Sequence, residues 1–544
     1  MRGAKSAKWV AMAGVVALAA TACGGGNGDS GNGSSKAAVD PVGIFSYANG
    51  EPQNPLQPAN TMESYGSVVI RALFTGLVDY DAKGDIVYMN ADSVEPDAAN
   101  KVWTVKLKKG WKFHNGEEVT AKSYVDAWNW AANVANNQVN SSWFSDIKGY
   151  ADVHPEKGKA KADTMSGLKV VDDQTFTIEL SSGIPYFAYK LAYPVFSPLP
   201  SGFFKDPTGY GEKPVGNGPY KFKSWDHKKS IQVVKNDDYQ GSNKAKNGGI
   251  DFKAYTSPDG AYKDLVSNNV DSMPAFPTSA LPNYKQDLGD RAIELDYAAI
   301  NTINPAFYTK QWKNVDPKVI QGLSMAIDRD TIIKTVFYGT REAATGWVAK
   351  GVKGYKAGAC GEFCEYNPEK AKQLIKEGGG VPGNKISIQY NADQPHKDWV
   401  VAVCNSIKQA TGVDCVGDAK TDFQADLAVR DAKQVKSMYR SGWVLDYPFN
   451  GNFLRDLYGT GVAGNKGGFS DPEFDKLAKQ ADAAKTVDES AALYQKAEEQ
   501  LKNSFPGIPL WYQRTISGHS SNVKNVEFDQ AGDPIFTNVE VLKK

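Results

Sequence analysis

The stretch Trp103-Thr-Val-Lys-Leu107, followed by Gly110-Trp-Lys-Phe-His-Asn-Gly-Glu-Glu-Val-Thr-Ala-Lys-Ser-Tyr-Val125, gives the clearest local reading of this chain. Val102 to Leu107 alternates apolar and polar side chains, the period of a strand with one buried face. Past the glycine-rich turn, Thr120 stands where an N-cap hydroxyl belongs. Tyr124, Trp128 and Ala132 then recur at helical spacing, so the strand hands over to a helix.

Working outward, the same mixture recurs. Val39 to Tyr47 reads as a strand, and Ser64 to Leu77 as a helix carrying Val68, Val69, Leu73 and Leu77. Leu168 to Leu180 reads as a hairpin about Asp172-Asp173, and Lys221 to Trp225 and Ile231 to Lys235 as strands. Pro317 to Thr335 reads as one helix with Ile320, Leu323, Ala326 and Ile327 on a face. Pro368 to Glu377 reads as an amphipathic helix ended by Gly378-Gly379-Gly380. Ile386 to Tyr390 is a strand; Trp399 to Ala410, Pro472 to Ala483 and Asp488 to Asn503 are helices. Strands and helices without an internal repeat predict a mixed α/β chain. Its 544 residues exceed one ordinary core, so two or three domains are expected.

The charge balance, 62 basic against 62 acidic side chains, lacks the basic excess of a nucleic-acid binder. The 11% of aromatic residues exceeds what an aliphatic core uses, and a cleft for peptide or sugar is one place for the surplus. No G-x-S-x-G elbow, H-E-x-x-H pair or phosphate-binding loop is present, and the five histidines are scattered. No enzyme, cofactor or metal centre is therefore expected. Asp328 and Asp330 flank Arg329 at i and i+2, which point apart on a helix. They read as capping and surface charges, not as a carboxylate dyad.

Arg2, Lys5 and Lys8 precede an apolar run from Val10 to Ala20, which suits a secretory signal and is too short to span a bilayer. Ala20-Thr-Ala-Cys23 then resembles the lipobox of bacterial lipoproteins, with Ala20 where the consensus favours Leu. That resemblance implies cleavage before Cys23 and a diacylglyceryl group on its thiol. Gly24 to Ser35 is nearly all Gly, Asn, Ser and Asp, the composition of a flexible tether. Of the remaining cysteines, Cys360, Cys364, Cys404 and Cys415 allow three pairings. Outside the cytosol the local pairs Cys360–Cys364 and Cys404–Cys415 are preferred, and their spacings are not the paired C-x-x-C pattern of a zinc site.

Five blocks in order resemble cluster C solute-binding proteins, the oligopeptide- and dipeptide-binding family of ABC importers. They are Trp103 to Val125, Pro214-Val-Gly-Asn-Gly-Pro-Tyr220, Leu323-Ser-Met-Ala-Ile-Asp-Arg-Asp-Thr-Ile332, Asn367-Pro-Glu-Lys-Ala-Lys-Gln-Leu-Ile375 and Ser441-Gly-Trp-Val-Leu-Asp-Tyr-Pro448, and Tyr390-Asn-Ala-Asp-Gln-Pro-His396 resembles a segment of the oligopeptide-binding branch. The resemblance implies a two-lobed α/β fold of the type II periplasmic-binding-protein kind, with an extra domain inserted in the first lobe. The expected division is signal peptide 1–22, tether 23–37, lobe I from 38–77, 200–295 and 512–544, insert 78–199, and lobe II 296–511. Lobe closure over the ligand is a hinge motion.

The same resemblance implies roles for single residues. Asp446 would pair with a peptide's α-ammonium, since a buried cation needs a carboxylate. Trp443 would wall a pocket beside Gly442 and Tyr447, and Arg440 would approach the peptide carboxylate with its planar fork. His396, and Asn391 in the same segment, would meet the peptide C-terminus. The loop Asn60-Thr-Met-Glu63 is a further source of an acid. Where some relatives carry a Trp, this chain has Asp418-Ala-Lys420, which implies a pocket of different shape. The expected partners are a short peptide, the permease subunits of an ABC importer, and the membrane through the lipid anchor on the extracellular face. The chain is expected to act as a monomer. The fold also serves uptake of sugars and other small solutes, so an oligosaccharide is the alternative ligand.

Overall fold

The strand and helix read around Thr120 form as Val102–Leu107 and Ala121–Ala132. In the computed structural model, which describes residues 38–543 apart from 62 and 393, Thr120 and Ser123 make a reciprocal capping box. The signal peptide, the tether and Cys23 lie outside the described residues. Val102–Leu107 sits inside a four-stranded antiparallel sheet between Ala91–Pro96 and Thr175–Glu179, with Leu168–Asp172 at the far edge. The helix lays Tyr124 flat on Phe176 at 5.7 Å and sets Trp128 edge-on to Phe176 and Phe196. Such aromatic pairs add to the area they bury.

A second four-stranded sheet has the order Ile44–Asn49, Gly249–Ala254, Ser230–Lys235, Tyr220–Asp226, its first pair parallel. Val39–Asp40 joins Glu540–Leu542 near the chain's end, so the C-terminal segment returns to the side where the described chain starts.

The largest sheet, six strands among the described residues, runs Arg341–Ala343, Ile508–Gly518, Ala292–Pro305, Met438–Val444, Lys385–Asn391, Asp414–Lys420. Two of its strands do more than fill the sheet. Ala292–Pro305 pairs with Ile508–Gly518 in two stretches, Ala292–Asp296 against Gly518–Arg514 and Ile300–Ile303 against Tyr512–Ile508. Between Asp296 and Ile300 the ladder is interrupted. On one side of this break Ile516 packs with Phe276 and Leu288. On the other, Ile300, Ile303 and Ile508 join the main core. The register shifts again between Asn301 and Thr302, and such irregularities are where a strand pair bends.

The stretch read as one helix over Pro317 to Thr335 is two, Pro317–Met325 and Arg329–Val336. Asp328 caps the second, its carboxylate accepting from Thr331 N at 3.0 Å. Arg329, 3% exposed, reaches back through the break and donates to Pro509 O at 2.9 and 2.7 Å and to Ser324 O at 3.0 Å. The first strand is likewise broken, by a turn at Asp40–Gly43, and the helix begun at Ser64 stops at Leu73, because Phe74 is extended.

Cys360 is joined to Cys364 and Cys404 to Cys415, the latter tying helix Lys397–Thr411 to the edge strand Asp414–Lys420. No described helix is long and apolar enough to cross a membrane. Tyr186, fully buried, stacks on Phe449 at 4.4 Å and donates its hydroxyl to Asp482 Oδ1 at 2.6 Å, fastening the loop after Thr175–Glu179 to the helical segment beyond Met438–Val444.

Candidate ligand-binding cavity

The strand Met438–Val444 and the residues just after it pass along the wall of a cavity of about 630 Å³. Many separate parts of the chain meet there, among them the helix Ser64–Leu73, the turn at Asp529–Asp533, and the segment Val444–Pro448. Asp446 is the carboxylate that last segment contributes. The residue is partly buried. That burial pushes its pKa up to about 7, helped by the nearby Asp456 charge. Opposing this, Asn452 donates Nδ2 to Asp446 Oδ2 at 3.1 Å, and Lys190 acts from a distance while committed to Asp146.

Asn452 also organises the neighbourhood. Its Oδ1 accepts from the Asp446 backbone N at 2.9 Å and from Trp443 Nε1 at 3.1 Å. Trp443 is thus half-buried against the core with its indole N–H satisfied, one strand position before the cavity wall. Tyr447 turns inward, buried, with its hydroxyl donated to Asp456 Oδ2 at 2.8 Å. Gly442 faces Asn301 so closely that an added Cβ would lie 2.8 Å from Asn301 Nδ2.

The other expected residues gather elsewhere on the same sheet. Arg440 is buried, its Nη2 hydrogen-bonded to Asn391 Oδ1 and its guanidinium 5.4 Å from the Phe423 ring. Nδ1 of His396 accepts from Trp399 Nε1 at 3.1 Å. Asp418 and Lys420 pair at 3.0 Å. Arg440, Asn391 and His396 are not on the wall of the 630 Å³ cavity, so Asp446 is the expected residue that reaches it. Glu63 spends its carboxylate on the cap of helix Ser64–Leu73, accepting from Gly66 N at 2.7 Å.

Several cavity residues escaped sequence reading. Arg71 pairs with Asp533 at 2.8 Å, and although burial opposes its charge, Asp533, Asp529 and Asp79 hold it firmly protonated. Burial and the adjacent Asp533 push Asp529 up to about 7. Arg341 also lines the wall, and burial brings its pKa down to about 10. Arg71 stands at helical spacing from Ser64 and Ser67, which line the same wall, and that polar stripe is the signal the sequence offered.

A second hollow of about 650 Å³ lies by Leu281, Tyr284, Lys334 and Tyr338. Two of its charges are already matched, Lys285 with Glu294 at 2.7 Å and Glu342 with Lys350. The cavity with Asp446 is the better candidate, because it holds buried charge that awaits a partner.

Residues 85–465 match the sequence profile of the bacterial extracellular solute-binding proteins, family 5. The oligopeptide-binding protein OppA of Bacillus subtilis (strain 168) is 28% identical over 541 residues, covering 96% of this chain and 97% of that protein. The structure of the Escherichia coli murein tripeptide binding protein MppA superposes with a TM-score of 0.75 at 22% identity, over 92% of this chain and 98% of that one. Haemophilus influenzae OppA in complex with RPPGFSPFR superposes with a TM-score of 0.75 at 22% identity, over 93% and 100%. These likenesses show a shared two-lobed fold. With the family profile spanning most of the chain, this protein belongs to the bacterial extracellular solute-binding proteins, family 5.

Proposed function

We propose that the chain captures short peptides outside the membrane and delivers them to the permease of an ABC importer, with Asp446 taking the peptide's α-ammonium. The observation that carries this is a carboxylate on the cavity wall, held near neutrality by burial and bonded to an amide rather than paired with a cation. A free peptide supplies that cation. The relatives' printed names, an oligopeptide-binding and a murein tripeptide binding protein, point the same way. The sheet content supports the division into lobe I (38–77, 200–295, 512–544), insert (78–199) and lobe II (296–511), with the interrupted strand pair as hinge. The lipobox reading supports an anchor through Cys23 on the extracellular face.

Calorimetry with wild type and Asp446→Ala, each against a free and an N-acetylated peptide, tests the pairing. Acetylation should weaken wild type by about 30-fold or more and weaken the variant little further. Equal damage to both proteins removes Asp446 from the role. Tyr47, Tyr80, Tyr193 and Tyr297 on the wall suit the alternative ligand, an oligosaccharide, which would then be the better reading.

A further inference from the structure

We propose that Asp79, Asp529 and Asp533, together with the Tyr47 hydroxyl, form a second cationic subsite beside Asp446 that takes the basic side chain of a peptide's first residue. This rests on the reading that Asp446 holds the α-ammonium. Three carboxylates surround one guanidinium here: Arg71 is bonded to Asp533 at 2.8 Å and lies within electrostatic reach of Asp529 and Asp79. One cation cannot balance three acids, and burial together with the adjacent Asp533 charge drives Asp529 toward its neutral form. The other guanidiniums of the wall are engaged elsewhere. Arg514 reaches Glu294 and Asp296, each at 3.4 Å, and Arg341 donates to the carbonyls of Thr340 and Arg514.

Independently of the acids, Tyr47 lines the same cavity at 1% exposure, its hydroxyl buried without a hydrogen-bond partner among the described residues. Asp533 is the charge acting on that hydroxyl. A buried hydroxyl left unmatched is costly, and a ligand N–H is the group that would satisfy it. Asp446 shares the wall of one cavity with Asp79, Asp529 and Asp533. With the α-ammonium on Asp446, the first side chain, borne on the same carbon, is the part of the peptide held closest to that shared wall. An arginine fork matches carboxylates in two-point geometry.

The test uses the full chain and the tetrapeptides Arg-Ala-Ala-Ala and citrulline-Ala-Ala-Ala, which share shape and α-ammonium but not the side-chain charge. The arginine peptide should bind wild type at least about tenfold more tightly. Asp529→Asn, which keeps an acceptor for the turn amides of Ala531 and Asp533, should shrink that ratio to about twofold. Asp79→Asn gives an independent arm should the first variant fold poorly. Equal binding of both peptides by wild type overturns the subsite while leaving peptide capture intact, as does a ratio that survives both variants. Failure of both peptides to bind overturns the subsite and peptide capture together.

Discussion

Asn452 grips Asp446 from both ends, donating Nδ2 to its carboxylate at 3.1 Å and accepting its backbone N–H at 2.9 Å. The same amide serves Trp443 Nε1 and Asp456 Oδ2, so one side chain orients an acid, an indole and a second acid. Asn452→Leu leaves these groups unmatched in a buried setting and should cost about 1–3 kcal/mol of stability in urea unfolding. It should also raise the Asp446 pKa, so peptide affinity at pH 7 falls while affinity at pH 8 falls less. An unchanged pH dependence in calorimetry would remove Asn452 from that role.

Binding should depend on pH through Asp446. The groups facing it are Asn452, Asp456 and Lys190, and its pKa without ligand is about 7. Capture of an ammonium requires the ionised acid, so affinity should fall by up to about tenfold per pH unit below 7. Above about pH 8 the peptide's own amine loses its charge, which closes the window from the other side. Asp446→Asn should abolish the acidic limb.

The unliganded protein should show the converse in its stability. The folded state holds the Asp446 proton up to about pH 7, whereas the unfolded chain releases it near about pH 4. The folded state therefore binds more protons between those values, and this contribution to stability is lost as pH rises through about 7. Asp446→Asn should raise the melting temperature at pH 8 and leave it unchanged at pH 4. A lowered melting temperature at pH 8 would contradict a strained, unpaired acid.

Arg329 should be intolerant of change. Its guanidinium bonds Pro509 O and both the carbonyl and hydroxyl of Ser324, locking the break between two helices to the strand Ile508–Gly518. Arg329→Ala should cost about 3 kcal/mol or more, and Arg329→Lys nearly as much, since an ammonium cannot reproduce the fork. Chemical denaturation of the two variants is the measurement.

Cys23→Ser should release the protein from the membrane fraction in cell fractionation. Equal retention of the variant would refute the lipid anchor.

Much of the architecture was legible because it is local. Alternation at Val102–Leu107, the Thr120 cap and the helix at Pro368–Glu377 each depend on side chains within a few residues of one another. The segment ending in Asp446-Tyr447 was legible by resemblance, as an unbroken run of sequence. The break before Arg329 was not. Apolar spacing continues across it, and the residue that pins it bonds Pro509, 180 positions away. Nor could the sequence show that Tyr447 turns into the core while Asp446 faces the cavity, or that Arg440 is engaged with Asn391. Least legible of all was the acidic wall. Asp533 lies far along the chain from Arg71 and Asp79, and it joins them only after the C-terminal segment folds back beside the strand near Val39. The sequence alone determined most of the elements and the family resemblance, because short-range periodicity and contiguous motifs encode them. The tertiary structure alone decided which charges share one water-poor cavity, because burial and charge proximity depend on residues brought together from across the chain.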